Sequence, residues 1–190
     1  MTEKGGALSF CAPEETRACA VAPQPETSLW FAVQTRPRHE KKVNMGLKEK
    51  GLRSFLPVRQ ERRKWSDRQK WIELPLFSQY VFVRLAEGTE LRTRVLRMSG
   101  VVRFAGAGGR GTPIPDEQIE NLQTISDHRV PCTPHEFLKV GERVRIRGGA
   151  LNGIEGILAS IKSDRSVVVS VDLIQKSIAI RIDGFEVERV

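Results

Sequence analysis

The chain is poor in the residues that most often carry chemistry. Its 190 residues include three cysteines, Cys11, Cys19 and Cys132, and three histidines, His39, His128 and His135. The cysteines have neither a paired metal-ligand spacing nor an even number for a disulfide framework, which points to a reducing cytoplasm. The histidines form no metal or catalytic spacing, and no serine or cysteine stands in a nucleophile motif, so no enzyme, metal or cofactor is expected. No apolar run is long enough to cross a membrane. Residues 1–28 lack a basic start followed by a continuous apolar stretch, so they do not read as a secretory signal. They are expected to form a disordered tail.

What the chain has in excess is positive charge, and most of it in one place. The formal net charge is +8, and residues 29–128, with 19 basic and 11 acidic side chains, hold that whole surplus. Such a concentration on one folded unit is a footprint of polyanion binding, and the bland reading is a well-solvated basic surface. At 39% hydrophobic and 28% charged the chain is globular and long enough for one ordinary domain or two small ones.

From Leu29, LWFAVQT has strand composition, and Arg36-Pro37 can open a helix that turns Val43 and Leu47 inward and stops at Gly51. SFLPVRQ reads as an edge strand, because Pro57 cannot donate to a ladder. The basic run RQERRKWSDRQK, residues 59–70, leads to a short strand over residues 71–74. LPLFSQYVFVRL, residues 74–85, then alternates from Tyr80: Val81, Val83 and Leu85 face one way, and Tyr80, Phe82 and Arg84 the other. Both sides are greasy, so the second needs a covering layer or a partner. LRTRVLRMS predicts a short helix with Leu91, Val95 and Met98 on one stripe, and VVRF a strand. PIPDEQIENLQTIS predicts a third helix with Asp116 and Glu117 at its positive end and Ile119, Leu122 and Ile125 inward. The class is α+β, beginning with an α/β sandwich of helices on a mostly antiparallel sheet. Two prolines mark residues 129–136 as a linker, and five short strands beyond it suggest a small β-barrel.

GAGGRG, residues 106–111, formally matches a dinucleotide-binding fingerprint. Pro113 and Pro115 separate it from the next helix, so no helix N-terminus adjoins the glycines, and it reads as a flexible turn.

These residues carry a family resemblance over residues 29–190. The first domain, residues 29–128, resembles the N-terminal domain of NusG-type transcription elongation factors through Trp30, PLF..Y.FV at 75–83, GVVRF at 100–104 and PIPD at 113–116. The second, residues 137–190, resembles a KOW domain, an SH3-like barrel, in VGERVRIRGGALNGIEG at 140–156. Ser78-Gln79 stand where NusG usually has Pro-Gly, and this block is more similar to the specialised paralogs RfaH, UpxY and LoaP, which act on selected operons.

The resemblance implies a transcription elongation and antitermination regulator. Phe77, Tyr80 and Phe82 match the apolar surface that docks on the clamp helices of the largest bacterial RNA polymerase subunit, with burial in the core as the lesser reading of Phe82. Arg92 and Thr93 stand where RfaH-like proteins have a threonine-rich turn that touches the polymerase gate loop, and Leu91-Arg92-Thr93-Arg94 departs from that pattern. Binding both sides of the cleft favours the closed clamp and suppresses pausing or termination. Arg36, Arg38, His39 and Lys42, with Arg62, Arg63, Lys64, Trp65 and Arg68, are the candidates for non-template DNA or nascent RNA, pairing with phosphates and stacking on a base. In the KOW domain Ile154 and Ile174 match a surface for a small-subunit ribosomal protein or Rho, and are equally readable as barrel core. A monomer without membrane contact is expected. The alternatives are a housekeeping NusG-like general elongation factor and a free-standing KOW RNA-binding protein. The VVVSV run is poor helix material, which argues against refolding of the second domain into helices.

Overall fold

The computed structural model describes residues 28–64, 69–86, 89–135, 137, 141–161, 164–182 and 185–190. The expected tail lies outside the described residues apart from Ser28. The N-terminal region runs β1 (Ser28–Thr35), α1 (Glu40–Glu49), β2 (Ser54–Phe55), β3 (Val58–Lys64), β4 (Gln69–Pro75), β5 (Tyr80–Ala86), α2 (Thr89–Leu96), β6 (Val101–Phe104), β7 (Pro113–Ile114) and α3 (Asp116–Asp127). The C-terminal region adds β8 (Cys132–His135), β9 (Glu142–Arg147), β10 (Glu155–Ile161), β11 (Asp164–Val171), β12 (Lys176–Arg181) and β13 (Glu186–Arg189).

The first sheet has the order β2-β5-β1-β6, with β7 also on β1, and every pairing is antiparallel. β3 and β4 form a separate two-stranded ribbon. The C-terminal strands form an antiparallel sheet in the order β13-β9-β10-β11-β12-β8. Those pairings run as an open path, and no pairing that closes the expected barrel occurs among the described residues.

Local chemistry sets the element ends. α1 starts at Glu40 rather than at the expected Arg36-Pro37, because the Arg36 N–H still bonds the Gly100 carbonyl at 2.8 Å and Arg38 turns the chain at φ 65°. It ends where Gly51 takes φ 72°, which a Cβ would oppose, and where the Gly51 and Leu52 amides reach back to the carbonyls of Lys48 and Leu47. α3 follows Pro115, and its first-turn Asp116 also meets Arg84 at 3.1 Å. Part of the expected linker is a strand: β8 pairs with β12, Cys132 opposite Ile180 and Pro134 opposite Ile178. A proline is tolerated there because β8 is an edge.

Two cores result. Phe31, Val33, Val81, Val83 and Leu85 of β1 and β5 pack under Val43 and Leu47 of α1 and Val95 of α2. Trp30, Ala32 and Phe82, on the opposite face, pack with Ile119, Leu122 and Ile125 of α3, and this core continues into Val144, Ile146, Leu151 and Val167 of the C-terminal region. Each Val, Leu, Ile or Phe among them contributes about 1.5–3 kcal/mol on full burial.

Candidate functional site

The aromatic block sits at the junction of the two regions. Phe82 is fully buried, stacked on Phe55 at 6.3 Å and meeting Phe77 edge-on at 6.1 Å. Phe77 is 2% exposed, and Tyr80 is half-buried. The loop that carries Phe77 is held by hydrogen bonds at both ends. The Leu76 amide donates to Pro57 O at 2.9 Å, and the Gln79 amide donates to Oε1 of the buried Glu40 at 2.8 Å. Gln79 itself is left-handed at φ 69°.

The block is therefore not an open face. Phe82 belongs to the core beneath α3, which corrects the expectation that it is displayed to a partner. Phe77 lines a cleft of about 870 Å³ whose opposite wall includes Pro134, His135, Lys176 and Ser177 of the C-terminal strands. The two regions are also clasped by a reciprocal pair: Gln118 Nε2 donates to Asp172 Oδ2 at 2.9 Å, and the Asp172 amide donates to Gln118 Oε1 at 3.3 Å.

The cations at the start of α1 divide. Arg36, Arg38 and Lys42 are exposed, whereas His39 is half-buried with Nδ1 3.1 Å from Pro37 O. Arg38 lines the cleft beside Phe77. Lys42 faces a different cleft, about 630 Å³, shared with Lys50, Arg94 and Arg97 around the exposed Met45. None of those four cations has an ion-pair partner among the described residues, and with one carboxylate, Glu49, in the same lining the cleft keeps a net positive charge. The arginines of β9 are compensated. Arg145 pairs with Glu155, whose hydrogen bond pushes the guanidinium pKa up, and Arg147 pairs with Glu188 at 2.6 Å.

Arg92 is turned inward, which corrects its expected display to a partner. Its guanidinium lies 4.6 Å from the Phe31 ring centroid and donates to Arg110 O at 3.1 Å. Its Nε is buried without a hydrogen-bond partner among the described residues. Thr93 is half-buried beside it. Arg94 and Arg97 are the exposed cations of that segment, and the sequence reading passed over them although they flank the buried Val95.

On the ribbon Arg62 is exposed and pairs in register with Trp71, which is 63% exposed. The expected contacts Trp65 and Arg68 lie outside the described residues, as do the side chains of Arg63 and Lys64. Trp71 was missed, although an indole just beyond a basic run is the signal that singled out Trp65. In the C-terminal region Ile154 and Ile174 are 1% and 7% exposed and belong to the core, so neither is the displayed contact expected. Cys132 is buried, and desolvation pushes its thiol pKa up against the opposing charge of Arg59. The GAGGRG segment is a short 3-10 turn with no α-helix on it. A Cβ on Gly106 would lie 2.3 Å from Thr112 Oγ1, so this glycine makes room for a turn rather than for a phosphate. Among the described residues no helix is long and apolar enough to cross a membrane.

A family model described as transcription termination factor nusG matches residues 28–123. Curated relatives carry the name transcription termination/antitermination protein NusG. That of Borreliella burgdorferi is 23% identical over 181 residues, covering 85% of this chain and 98% of the relative. That of Lactococcus lactis subsp. lactis is 27% identical over 173 residues, covering 85% and 92%. A solved structure described as "Domain interaction in Thermotoga maritima NusG" shares the fold with a TM-score of 0.54 at 22% identity, covering 84% of this chain and 96% of that one. An α+β domain matched by this model and followed by an antiparallel β region defines a transcription termination/antitermination factor. The chain belongs to the NusG family. That family consists of transcription factors, which fits a protein without a catalytic role.

Proposed function

We propose that the chain is a specialised elongation regulator of the RfaH, UpxY and LoaP kind that binds bacterial RNA polymerase through its N-terminal domain. The clamp helices dock where Phe77 and Tyr80 lie, and the segment carrying Thr93, Arg94 and Arg97 reaches toward the gate loop. Bridging the cleft favours the closed, elongating clamp, by no more than the difference in affinity for its two states. Arg36, Arg38, Lys42 and Arg62 hold non-template DNA or nascent RNA by its phosphates. The C-terminal domain recruits a small-subunit ribosomal protein or Rho through exposed turn residues such as Gln175, since Ile154 and Ile174 are internal.

The observation that carries this reading is Phe77, an apolar side chain in a loop whose facing wall belongs to the other domain. An anchor placed there is reached by a partner only when the C-terminal domain moves aside, and apparent affinity falls with the fraction of molecules that are open. The test is binding of the full chain to core polymerase and to isolated clamp helices, with circular dichroism as the control for folding. Phe77→Ala/Tyr80→Ala is expected to weaken binding about thirtyfold, the effect of losing about 2 kcal/mol. A folded variant that binds like the wild type overturns the reading, as does a wild type that ignores the clamp helices.

A further inference from the structure

We propose that the cleft between the β3–β4 ribbon and the C-terminal sheet is a binding site for single-stranded RNA. This inference does not rest on polymerase docking. The cleft holds about 820 Å³, within the range of small-ligand pockets and roomy enough for a nucleotide. Its floor is apolar, with Leu76, Ile125 and Ala179, and its rim is not.

Trp71 stands at that rim with 63% of its surface exposed. A ring so exposed on a two-stranded ribbon adds little to the core, and its flat face is open to stacking. Three arginines line the same space. Arg129 projects from the left-handed turn after α3 (φ 50°), exposed and without an ion pair among the described residues. Arg181 is exposed at the end of β12. Arg59 is half-buried and held by Glu61 at 2.8 Å, so its charge is partly compensated. The carboxylate that lines the cleft, Glu73, is already met by Lys41 at 3.4 Å.

A stacking ring, the unpaired Arg129 at the rim and an apolar floor suit a base and its flanking phosphate. The hydroxyls of Ser126, Thr133 and Ser166 in the lining supply partners for a ribose 2′-hydroxyl, which favours RNA over DNA. Walls drawn from both regions give the site a second property. A strand bound there bridges the ribbon and α3 to β8, β11 and β12, and favours the docked arrangement by its preference for that state.

The experiment is fluorescence anisotropy of the full chain with a labelled oligouridine, without polymerase. It is paired with photocrosslinking of a thiouridine-substituted oligomer, and circular dichroism confirms each fold. Trp71→Ala should weaken binding about tenfold or more, and Trp71→Phe, which keeps a ring, by less than about threefold. Arg129→Glu should weaken binding and flatten its salt dependence. Cross-links are expected in β8 or β12 as well as in β4. Wild-type affinity in Trp71→Ala and Arg129→Glu, or cross-links confined to α1 and the ribbon around Arg62, overturns the site. Equal binding of the deoxyuridine oligomer overturns the preference for RNA. Polymerase binding that survives either failure leaves the docking reading intact, because the two assays share no component other than the protein.

Discussion

On one face of β1 and β5, Phe31, Val33, Val81, Val83 and Leu85 are sealed by α1 and α2, helices joined to those strands by short connections. On the other face, Trp30, Ala32 and Phe82 are covered by α3, and beyond it the same apolar cluster runs on into the C-terminal domain. The first seal is local, and undoing it means unfolding. The second has an inner layer of the same kind and then runs on into the C-terminal strands, which are joined to α3 at its edge by the polar pair Gln118 and Asp172. Five aromatic residues, Trp30, Phe55, Phe77, Tyr80 and Phe82, lie on the second face, and Phe31 and Phe104 lie on the first. Trp30 is further flanked by the guanidinium groups of Arg53 and Arg84, at 5.7 and 6.0 Å. In the function proposed above, the C-terminal strands are the removable layer over this aromatic surface, which is then offered only part of the time.

The largest expected effect separates inner layer from outer. Phe82→Ala should destabilise the chain by about 3–5 kcal/mol and Leu47→Ala, on the sealed face, by about 2–5 kcal/mol, both measured by urea unfolding. Similar losses would mean that Phe82 is as much core as Leu47, and that any loss of polymerase binding in Phe82→Ala reports lost folding. A loss below about 1 kcal/mol for Phe82→Ala would instead put it in the outer, removable layer.

A middle-sized effect concerns the residue that ties the two faces together. Glu40 begins α1 on the sealed face, yet its buried carboxylate accepts the amide of Gln79, in the loop that presents Phe77 to the other face. Glu40→Ala leaves that amide without its acceptor and should destabilise by about 1–3 kcal/mol, whereas Glu40→Gln keeps an acceptor oxygen and should lose less. Thermal unfolding of the two variants reads the difference. Equal losses would mean that the charge or the packing of Glu40 matters more than the bond.

Much of this was legible in the chain because period and polarity agree. The stripe Ile119, Leu122 and Ile125 gives α3 its inward face, and the alternation after Tyr80 gives β5 its two sides. What pattern cannot carry is which neighbour covers a face. Phe82 reads first as dock until α3 is laid over it, and Ile154 and Ile174 read equally as contact or core until the C-terminal sheet folds around them. Arg92 reads as a surface cation, but Phe31 offers its guanidinium a ring to lie on. Pro131 and Pro134 suggest a linker, since nothing local reveals that β12 leaves an edge free for Cys132 and Thr133 to extend. Trp71 carries no periodic signal, because its distinguishing feature is its exposure at the rim of a cleft.

The smallest expected effect lies at Gln79, where the chain departs from the Pro-Gly usual in NusG. Gln79 holds φ 69°, a region that disfavours side chains by about 1–2 kcal/mol. Its backbone is fully engaged, the amide to Glu40 and the carbonyl to the Thr35 amide at 2.8 Å, and glycine would keep both bonds. Gln79→Gly therefore relieves strain in the folded state and adds freedom to the unfolded one, so the net change should be within about 0.5–1 kcal/mol of zero. Gln79→Val, β-branched at the same angle, should be clearly worse. If Gln79→Gly leaves stability unchanged but alters polymerase binding, the side chain acts at the removable layer, beside Phe77. If it changes neither, this departure from the usual Pro-Gly is tolerated by the loop without marking a specialised function, and the specialised reading must then rest on the cations around Lys42 and Arg94.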